Sequence, residues 1–211
     1  MYSGITQGLF PVVALIQKEN LLIYHVQLNE ILSQNLEIGA SVSVDGVCQT
    51  VVSLNGHIVE FNAIDETLRK TTLSELQQGS LVSIERSLKQ GSENGGHAMF
   101  GHVYGTAEIV EKNHRENNLE IVCHCAAEMV QYLFEKGFVG VDGSSLTVNK
   151  VDTTKNLFTI NLIPHTLKVT NFLQKKVGDK VNIEVDANTV TIVETIKRLN
   201  LNQVTSSISL K

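Results

Sequence analysis

The stretch Val44-Asp45-Gly46-Val47-Cys48-Gln49-Thr50-Val51 occurs twice in this chain, since it returns 97 residues later as Val141-Asp142-Gly143-Ser144-Ser145-Leu146-Thr147-Val148. A second stretch, VSIE at residues 82–85, returns after 99 residues as VNIE at residues 181–184. Two blocks that recur in the same order, with one small change of length between them, indicate a duplicated domain. Features present in both copies then belong to the fold or to ligand binding, whereas features of one copy mark specialisation.

Length and composition fit two small globular domains and argue against several classes of protein. Hydrophobic residues make up 42% of the chain and charged residues 18%, which is too apolar for a disordered protein. The net charge of −5 without a basic block argues against a nucleic-acid partner. No apolar run reaches the ~20 residues of a membrane span, and the start of the chain lacks a signal-peptide pattern. The three cysteines do not form a disulfide framework, so we expect a cytoplasmic protein.

Short apolar runs between Gly, Asn and Asp turns predict about six β-strands in each copy. Six short strands are typical of a small closed antiparallel barrel, so the predicted fold is all-β: two tandem barrels with a few short helices. The strands are predicted at residues 8–16, 21–28, 40–44, 50–54, 58–61 and 81–84, and again at 104–110, 118–123, 139–141, 146–151, 157–163 and 180–185. One short helix per copy is predicted at 29–36 and at 126–134.

The chain divides into a first barrel at residues 1–88, a second at 98–187 and a C-terminal helix at 189–202. Residues 92–97 (SENGGH) have the composition of a linker, and they lack the strand–loop–helix setting and the Lys of a phosphate-binding loop. The C-terminal segment carries an apolar stripe at helical spacing that has no counterpart in the first copy. It either packs on its own barrel or forms a contact between subunits.

Candidate chemistry lies at equivalent positions of the repeated stretch. Cys48 with Thr50, and Ser145 with Thr147, stand two residues apart on a strand, so each pair faces one side and can enter one pocket. The first copy has a thiol where the second has a hydroxyl, which makes two related pockets chemically different. The alternatives are a buried structural thiol and a hydroxyl that serves the backbone.

His102 is a second difference between the copies, because its equivalent in the first copy is Ile5. We interpret it as a histidine that replaces a β-branched core residue, and hence as a candidate acid, base or ligand-orienting group. A hydrogen-bonded structural histidine is the alternative. His97 with His102, and Cys123-His124-Cys125, resemble fragments of metal sites, but neither has the further ligands that a site needs. We therefore expect no metal, and ordinary strand packing for Cys123 and Cys125.

A third repeated block follows a strand in each copy: residues 62–67 (NAIDET) and 161–166 (NLIPHT). A turn at this place leaves backbone amides and carbonyls open. Such groups can bind a flat heterocycle with alternating donors and acceptors, assisted by a Thr hydroxyl. A plain loop explains the sequence equally well.

Taken together, these blocks resemble riboflavin synthase of the alpha-chain type over essentially residues 1–200. The matching motifs are the start MYSGI, VDGVCQTV, ETLRKTTL at 66–73, GGH at 95–97, GHV at 101–103, VDGSSLTV and IPHTL at 163–167. The resemblance implies two Greek-key barrels, a C-terminal helix that holds a homotrimer, and no metal or organic cofactor. It also implies dismutation of two molecules of 6,7-dimethyl-8-ribityllumazine, in which one donates a four-carbon unit to the other, giving riboflavin and 5-amino-6-ribitylamino-uracil.

In this family the active site forms between the N-terminal barrel of one subunit and the C-terminal barrel of another. A lumazine synthase shell surrounds some trimers of the family, so lumazine synthase is a further candidate partner. Cys48, His102 and Ser145 are the candidate catalytic residues. The contacts implied for the first barrel are Gly4, Ile5, Thr6, Cys48, Gln49, Thr50, Asn62, Ala63, Ile64, Asp65, Glu66 and Thr67; those for the second are Gly101, His102, Val103, Lys136, Ser145, Leu146, Thr147, Asn161, Leu162, Ile163, Pro164, His165 and Thr166.

The chain departs from the family pattern at a few positions. The usual start is Met-Phe-Thr-Gly, and here Tyr2 and Ser3 stand in the second and third places; Phe100 stands where Ser is usual. Antenna proteins of luminous bacteria share this fold, bind one lumazine or flavin and lack synthase activity, so they are the rival from another class. Here Cys48, His102 and Ser145 are all present, which favours the enzyme.

Overall fold

In the computed structural model, which describes residues 1–199, each copy of the repeat folds into a closed six-stranded antiparallel barrel. The first barrel has the strand order β1-β2-β5-β4-β3-β6, a Greek-key arrangement. The second has the equivalent order β7-β8-β11-β10-β9-β12. The strands are β1 (Gly8–Lys18), β2 (Leu21–Gln27), β3 (Ser41–Val44), β4 (Val47–Asn55), β5 (Ile58–Ile64) and β6 (Leu81–Arg86), followed by β7 (Gly105–His114), β8 (Leu119–His124), β9 (Phe138–Val141), β10 (Ser144–Asp152), β11 (Leu157–Leu162) and β12 (Lys180–Val185).

The predicted all-β fold of two barrels is confirmed, with one informative shift of a strand. The strand predicted at 50–54 begins at Val47, so the repeated stretch forms a hairpin rather than a loop before a strand. Asp45 and Gly46 make its two-residue turn with φ of 45° and 81°, and Asp142 and Gly143 do the same with 43° and 81°. Asp-Gly with both φ values positive is the favoured turn for such hairpins.

The duplication also appears in the irregularities of the strands. A bulge between Val12 and Ala14 in β1 has its equivalent between Ile109 and Glu111 in β7. Bulges near Val51 in β4 and near Val148 in β10 are likewise equivalent. Bulges bend strands, and these help each sheet to close into a barrel.

Alternation along the strands gives each barrel its own hydrophobic core. In the first barrel Tyr24 and Phe61 meet inside, with ring centroids 5.5 Å apart. Cys123 and Cys125 are buried in the second barrel, while His124 between them is exposed, so the prediction of ordinary strand packing is confirmed. Both thiols are free.

The helices differ from the prediction. The two predicted at 29–36 and 126–134 are single turns, α1 (Glu30–Ser33) and α3 (Ala127–Val130). The blocks predicted as open turns instead begin helices, α2 (Asp65–Lys70) and α4 (Pro164–Val169), each followed by a 3₁₀ turn. The sequence signals were present, because α2 has acidic residues in its first turn and basic ones in its last, and Pro164 opens α4.

The C-terminal helix is α5 (Ala187–Arg198), and the predicted end at residue 202 lies outside the described residues. Val190 and Val193 pack against the core of the second barrel. Ile192, Ile196 and Leu199 stay 59%, 48% and 60% exposed. One side of the helix thus packs on its own barrel while a second apolar stripe faces outward. Within residues 1–199, none of the helices has the length and apolar character required to cross a bilayer.

The two barrels meet where their equivalent hairpin turns touch. A Cβ on Gly46 would lie 2.6 Å from the backbone N of Gly143, and one on Gly143 would lie 2.8 Å from the N of Gly46. Only glycine permits this approach of one backbone to the other, and the positive φ values favour glycine as well. The repeated Asp-Gly therefore serves both the hairpin and the contact between barrels.

A buried polar network surrounds this contact. Asn182 donates to the carbonyl of Asp45 at 2.8 Å and to Thr72 Oγ1 at 2.8 Å, and it accepts from the Thr72 N–H at 2.8 Å. Burial raises the pKa of Asp45 to about 7 and also raises the pKa of Asp142. Lys175 Nζ lies 3.3 Å from Asp142 Oδ2 and supplies a positive charge. The network fixes the orientation of one barrel on the other.

Replacing Gly46 with Ala is expected to destabilise the protein far more than replacing Gly79. Both glycines have similar φ, 81° and 90°, so both replacements introduce backbone strain of ~1–2 kcal/mol. Nothing lies within 4 Å of a Cβ on Gly79, whereas Gly46 meets the other barrel, which adds about 1–3 kcal/mol. Denaturant unfolding of Gly46→Ala and Gly79→Ala measures the difference. Equal losses of stability would contradict the contact.

Candidate active site

Cys48 and Ser145 occupy equivalent places on the outer faces of β4 and β10. Each is half-buried, and the threonine two residues further on, Thr50 or Thr147, is exposed on the same face. The residues between them point into the barrels, so the alternation of the strand separates a packed face from a reactive one. The prediction that each pair shares one face is confirmed.

The segments that precede the two barrels cross over, so that each lies against the other barrel. The Ser145 N–H donates to the carbonyl of Gly4 at 2.8 Å, and the Cys48 N–H donates to the carbonyl of Gly101 at 2.9 Å. A Cβ on Gly4 would lie 2.5 Å from Ser145 Cβ, and one on Gly101 would lie 2.6 Å from Cys48 Cβ. Glycine is therefore required at both crossings.

This crossing defines two grooves that mix the two copies. Groove 1 consists of Cys48 and Thr50 of the first barrel with the 101–103 segment. Groove 2 consists of the 4–6 segment with residues of the second barrel, and its lining residues are Gly4, Ile5, Thr6, Ser144, Ser145, His165, Thr166, Val169 and Thr170. The grouping by barrel, which placed residues 4–6 with Cys48 and residues 101–103 with Ser145, is wrong. Repeat equivalence alone does not reveal which barrel a connecting segment contacts.

Two equivalent glutamates hold the crossing segments. Glu85, at the end of β6, accepts hydrogen bonds from the N–H groups of Ser3 and Gly4 at 2.7 and 3.0 Å. Glu184 on β12 accepts from Phe100 and Gly101 at 2.6 and 2.9 Å. Burial raises the pKa of both carboxyls, and the amide donors act in the opposite direction. Thr6 Oγ1 and Ser144 Oγ, 3.0 Å apart, further fix the first segment.

Groove 1 contains the Cys48 thiol, and the His102 imidazole directly follows Gly101, whose carbonyl accepts from the Cys48 N–H. Tyr2 donates its hydroxyl to Cys48 Sγ at 3.1 Å. His102 is exposed and follows Gly101, and its ring stacks on that of Phe100 with centroids 6.1 Å apart. The interpretation that His102 replaces a core residue is wrong, because its equivalent Ile5 is itself 48% exposed. Ile5 lines groove 2, and His102 is its exposed equivalent on the segment that contributes to groove 1.

Groove 2 contains a serine–histidine pair that sequence reasoning missed. His97 Nδ1 lies 2.6 Å from Ser145 Oγ, and the His97 ring stacks on Phe138 with centroids 4.9 Å apart. His97 is 7% exposed, and burial lowers its pKa below the usual value of a histidine. His97 is thus a neutral base beside a hydroxyl at neutral pH. The signal in the sequence was the glycine directly before His97. The structure explains it, because a Cβ on Gly96 would have no room between Ser3 and Ser145.

The second copy of the third repeated block reaches groove 2 through its helix α4. His165 and Thr166 of α4 line groove 2. Glu66 and Thr67 are their equivalents on α2, next to the first barrel. Asn62, Ile64 and Ile163 are exposed and Asn161 is half-buried at the ends of β5 and β11, while Asp65 and Pro164 begin the helices.

Some of the predicted contact residues offer no side chain to a ligand. Gln49, Ala63, Leu146 and Leu162 point into the barrels and are at most 9% exposed, so only their backbone groups are available. Lys136 has an exposed side chain in the turn before β9, with φ of 68°. Within residues 1–199, no three His, Cys, Asp or Glu side chains form a cluster that suits a metal ion.

The enclosed part of groove 2 measures only about 70 Å³. Sites that enclose an organic ligand usually measure about 300–1,000 Å³. Groove 2 of one chain is therefore too small to enclose an organic ligand by itself, and a further surface would be needed to enclose one.

Comparisons with known proteins agree with this geometry. A family model described as "Lumazine binding domain" matches twice, at residues 3–87 and 100–186. Riboflavin synthase of Escherichia coli strain K12 is 41% identical over 200 residues, which cover 94% of this chain and 93% of the relative. Riboflavin synthase of Chlamydia pneumoniae is 42% identical over 199 residues, covering 94% and 96%. The crystal structure of LumP complexed with riboflavin has a TM-score of 0.82 at 24% identity, covers 88% of this chain and all of its own, and shares the fold.

The pairing of His97 with Ser145 predicts a distinctive NMR signature. With the ring nitrogens labelled, His97 is expected to take up its second proton at a lower pH than histidine in solution, because burial lowers its pKa by disfavouring the charged form. Ser145→Ala is expected to shift the Nδ1 resonance of His97, since it removes the partner of that atom. The control Thr147→Ala changes an exposed hydroxyl on the same strand and leaves the resonance in place. An Nδ1 resonance that ignores Ser145→Ala would contradict the pairing.

Proposed function

The chain belongs to the riboflavin synthase family, and we propose that its two grooves carry out that family's reaction on two molecules of 6,7-dimethyl-8-ribityllumazine. One molecule gives a four-carbon unit to the other, and the products are riboflavin and 5-amino-6-ribitylamino-uracil. Because the atoms and electrons of two identical substrates are redistributed between two products, the reaction needs no outside oxidant or reductant.

The observation that carries this proposal is the pair of equivalent grooves with unlike polar groups. Groove 1 presents a thiol held by a phenol, and groove 2 presents a hydroxyl beside a neutral imidazole. Two copies of one substrate require two related binding surfaces, and their opposite fates require those surfaces to differ. Holding the two rings against each other converts a bimolecular reaction into one within a complex, which supplies much of the acceleration.

In groove 2, Ser145 or a water beside it adds to the ring carbon that bears a methyl group. The O–C bond forms as the hydroxyl proton passes to His97 Nδ1, and the electron pair of the C=N bond moves onto the ring nitrogen. His97 can accept this proton because it is buried in the neutral form and already contacts the hydroxyl at 2.6 Å. The proton returns when the serine or water leaves the ring.

In groove 1, the second lumazine loses a proton from its 7-methyl group. The resulting carbanion is delocalised over the ring and attacks the activated partner. His102, exposed at the groove, and Cys48, on the strand beside it, are the groups that accept or guide this proton. The backbone of the 4–6 and 101–103 segments and the threonines Thr67 and Thr166 orient the two rings.

We infer that the working form is a homotrimer in which groove 1 of one subunit faces groove 2 of the next. The small enclosed volume of groove 2 and the outward apolar stripe of α5, Ile192, Ile196 and Leu199, both support association. A lumazine synthase shell is a candidate further partner. Three free cysteines fit a reducing compartment, so the proposed location is the cytoplasm.

The reaction is tested by incubating the purified protein with 6,7-dimethyl-8-ribityllumazine and following both lumazine and riboflavin by absorbance. We expect one riboflavin to form for about every two lumazines consumed, as the dismutation requires. Tight binding of a fluorescent ligand without any riboflavin would overturn the enzyme and favour an antenna protein.

Mixing two inactive variants tests whether the site is shared between subunits. Cys48→Ala and Ser145→Ala are each expected to lower turnover by ~10²-fold or more with little loss of lumazine affinity. Refolding them together in equal amounts is expected to restore roughly a quarter of wild-type turnover, because some sites then combine an intact groove 1 with an intact groove 2. A mixture of Thr147→Ala with Ser145→Ala, two changes on the same strand β10, controls for the effect of refolding itself on turnover. No recovery from the first mixture would mean that the site lies within one chain.

A further inference from the structure

The hydroxyl of Tyr2 is the polar group that contacts the reactive sulfur of groove 1. It donates to Cys48 Sγ at 3.1 Å, and the tyrosine is 1% exposed. Two backbone hydrogen bonds with Met99, of 2.7 and 3.0 Å, hold Tyr2 where the crossing segments run side by side. Both the backbone and the hydroxyl of Tyr2 are thus held by hydrogen bonds.

A donor on sulfur has a definite chemical consequence. It occupies one lone pair of Sγ and stabilises a negative charge on the sulfur more than the neutral thiol. Burial raises the pKa of the phenol far above its usual value, so Tyr2 remains a donor throughout the working range. The proton or free lone pair of Cys48 is then left for the groove, where residues 101–103 lie.

The repeat shows that this contact belongs to one groove. The residue equivalent to Tyr2 in the second copy is Met99, whose thioether cannot donate a hydrogen bond. Ser145 instead has His97, which stands at a position with no equivalent in the first copy. Each nucleophile-type residue therefore has a polar partner of a different kind, taken from a different place in the sequence.

We propose that Tyr2 is a positioning residue for Cys48: its hydroxyl fixes the sulfur and sets the reactivity of the thiol in groove 1. The effect on thiol reactivity stands by itself, whereas the effect on turnover rests on the function proposed above. The two effects are measured separately, so failure of one is distinguishable from failure of the other.

The first experiment alkylates the protein with iodoacetamide over a range of pH and follows the label on Cys48 by peptide mass spectrometry. In Tyr2→Phe, which removes only the hydroxyl, we expect Cys48 to be labelled about three- to tenfold more slowly at neutral pH, because the sulfur loses its hydrogen-bond donor. Tyr24→Phe is the matched control, since Tyr24 is also buried in the first barrel and its hydroxyl has no partner among the described residues. An unchanged labelling rate in Tyr2→Phe, or an equal loss of rate in Tyr24→Phe, would overturn the proposal.

The second experiment is a double-mutant cycle on turnover. Tyr2→Phe is expected to lower kcat about three- to tenfold with little change in KM, because it removes one hydrogen bond to a reacting group. In the Cys48→Ala background the same change is expected to have no further effect, since the sulfur is already absent. A purely structural tyrosine would lower turnover by the same factor in both backgrounds, and that result would overturn the proposal.

Discussion

The close approach of Gly46 to Gly143 is the constraint on which the rest of the structure depends. Two hairpin turns meet backbone to backbone, with room for no side chain between them. Because the two turns are equivalent, each barrel uses the same part of its fold to contact the other. Around this contact, Asn182 forms buried hydrogen bonds with Asp45 and Thr72. These bonds form in only one orientation of the second barrel relative to the first.

The same arrangement places each leading segment against the opposite barrel. The segments run side by side through Tyr2 and Met99, and Glu85 and Glu184 hold their amides. Each groove therefore contains residues from both copies, and a change in a leading segment alters the chemistry of the other barrel's groove. Tyr2 is the exception that reaches back to Cys48 of its own barrel, so the sulfur of groove 1 has a phenol as its partner where Ser145 of groove 2 has an imidazole.

Much of this could be predicted from the sequence, because strand alternation and a repeat are local or pairwise patterns. The two barrels, the shared face of Cys48 and Thr50, and the burial of Cys123 and Cys125 followed directly. The crossing of the segments could not be predicted, since the offset of a repeat says which positions are equivalent and not which ones touch. The pairing of His97 with Ser145 was missed for the same reason: 48 residues separate them, and the position of His97 has no equivalent in the first copy.

A crystal structure with bound 6,7-dimethyl-8-ribityllumazine would show whether each site combines a barrel with the segment that precedes the other barrel. We expect one ring between Cys48 and residues 101–103, and another between Ser145 and residues 4–6. A ring held by Cys48 together with residues 4–6 of the same chain would contradict it.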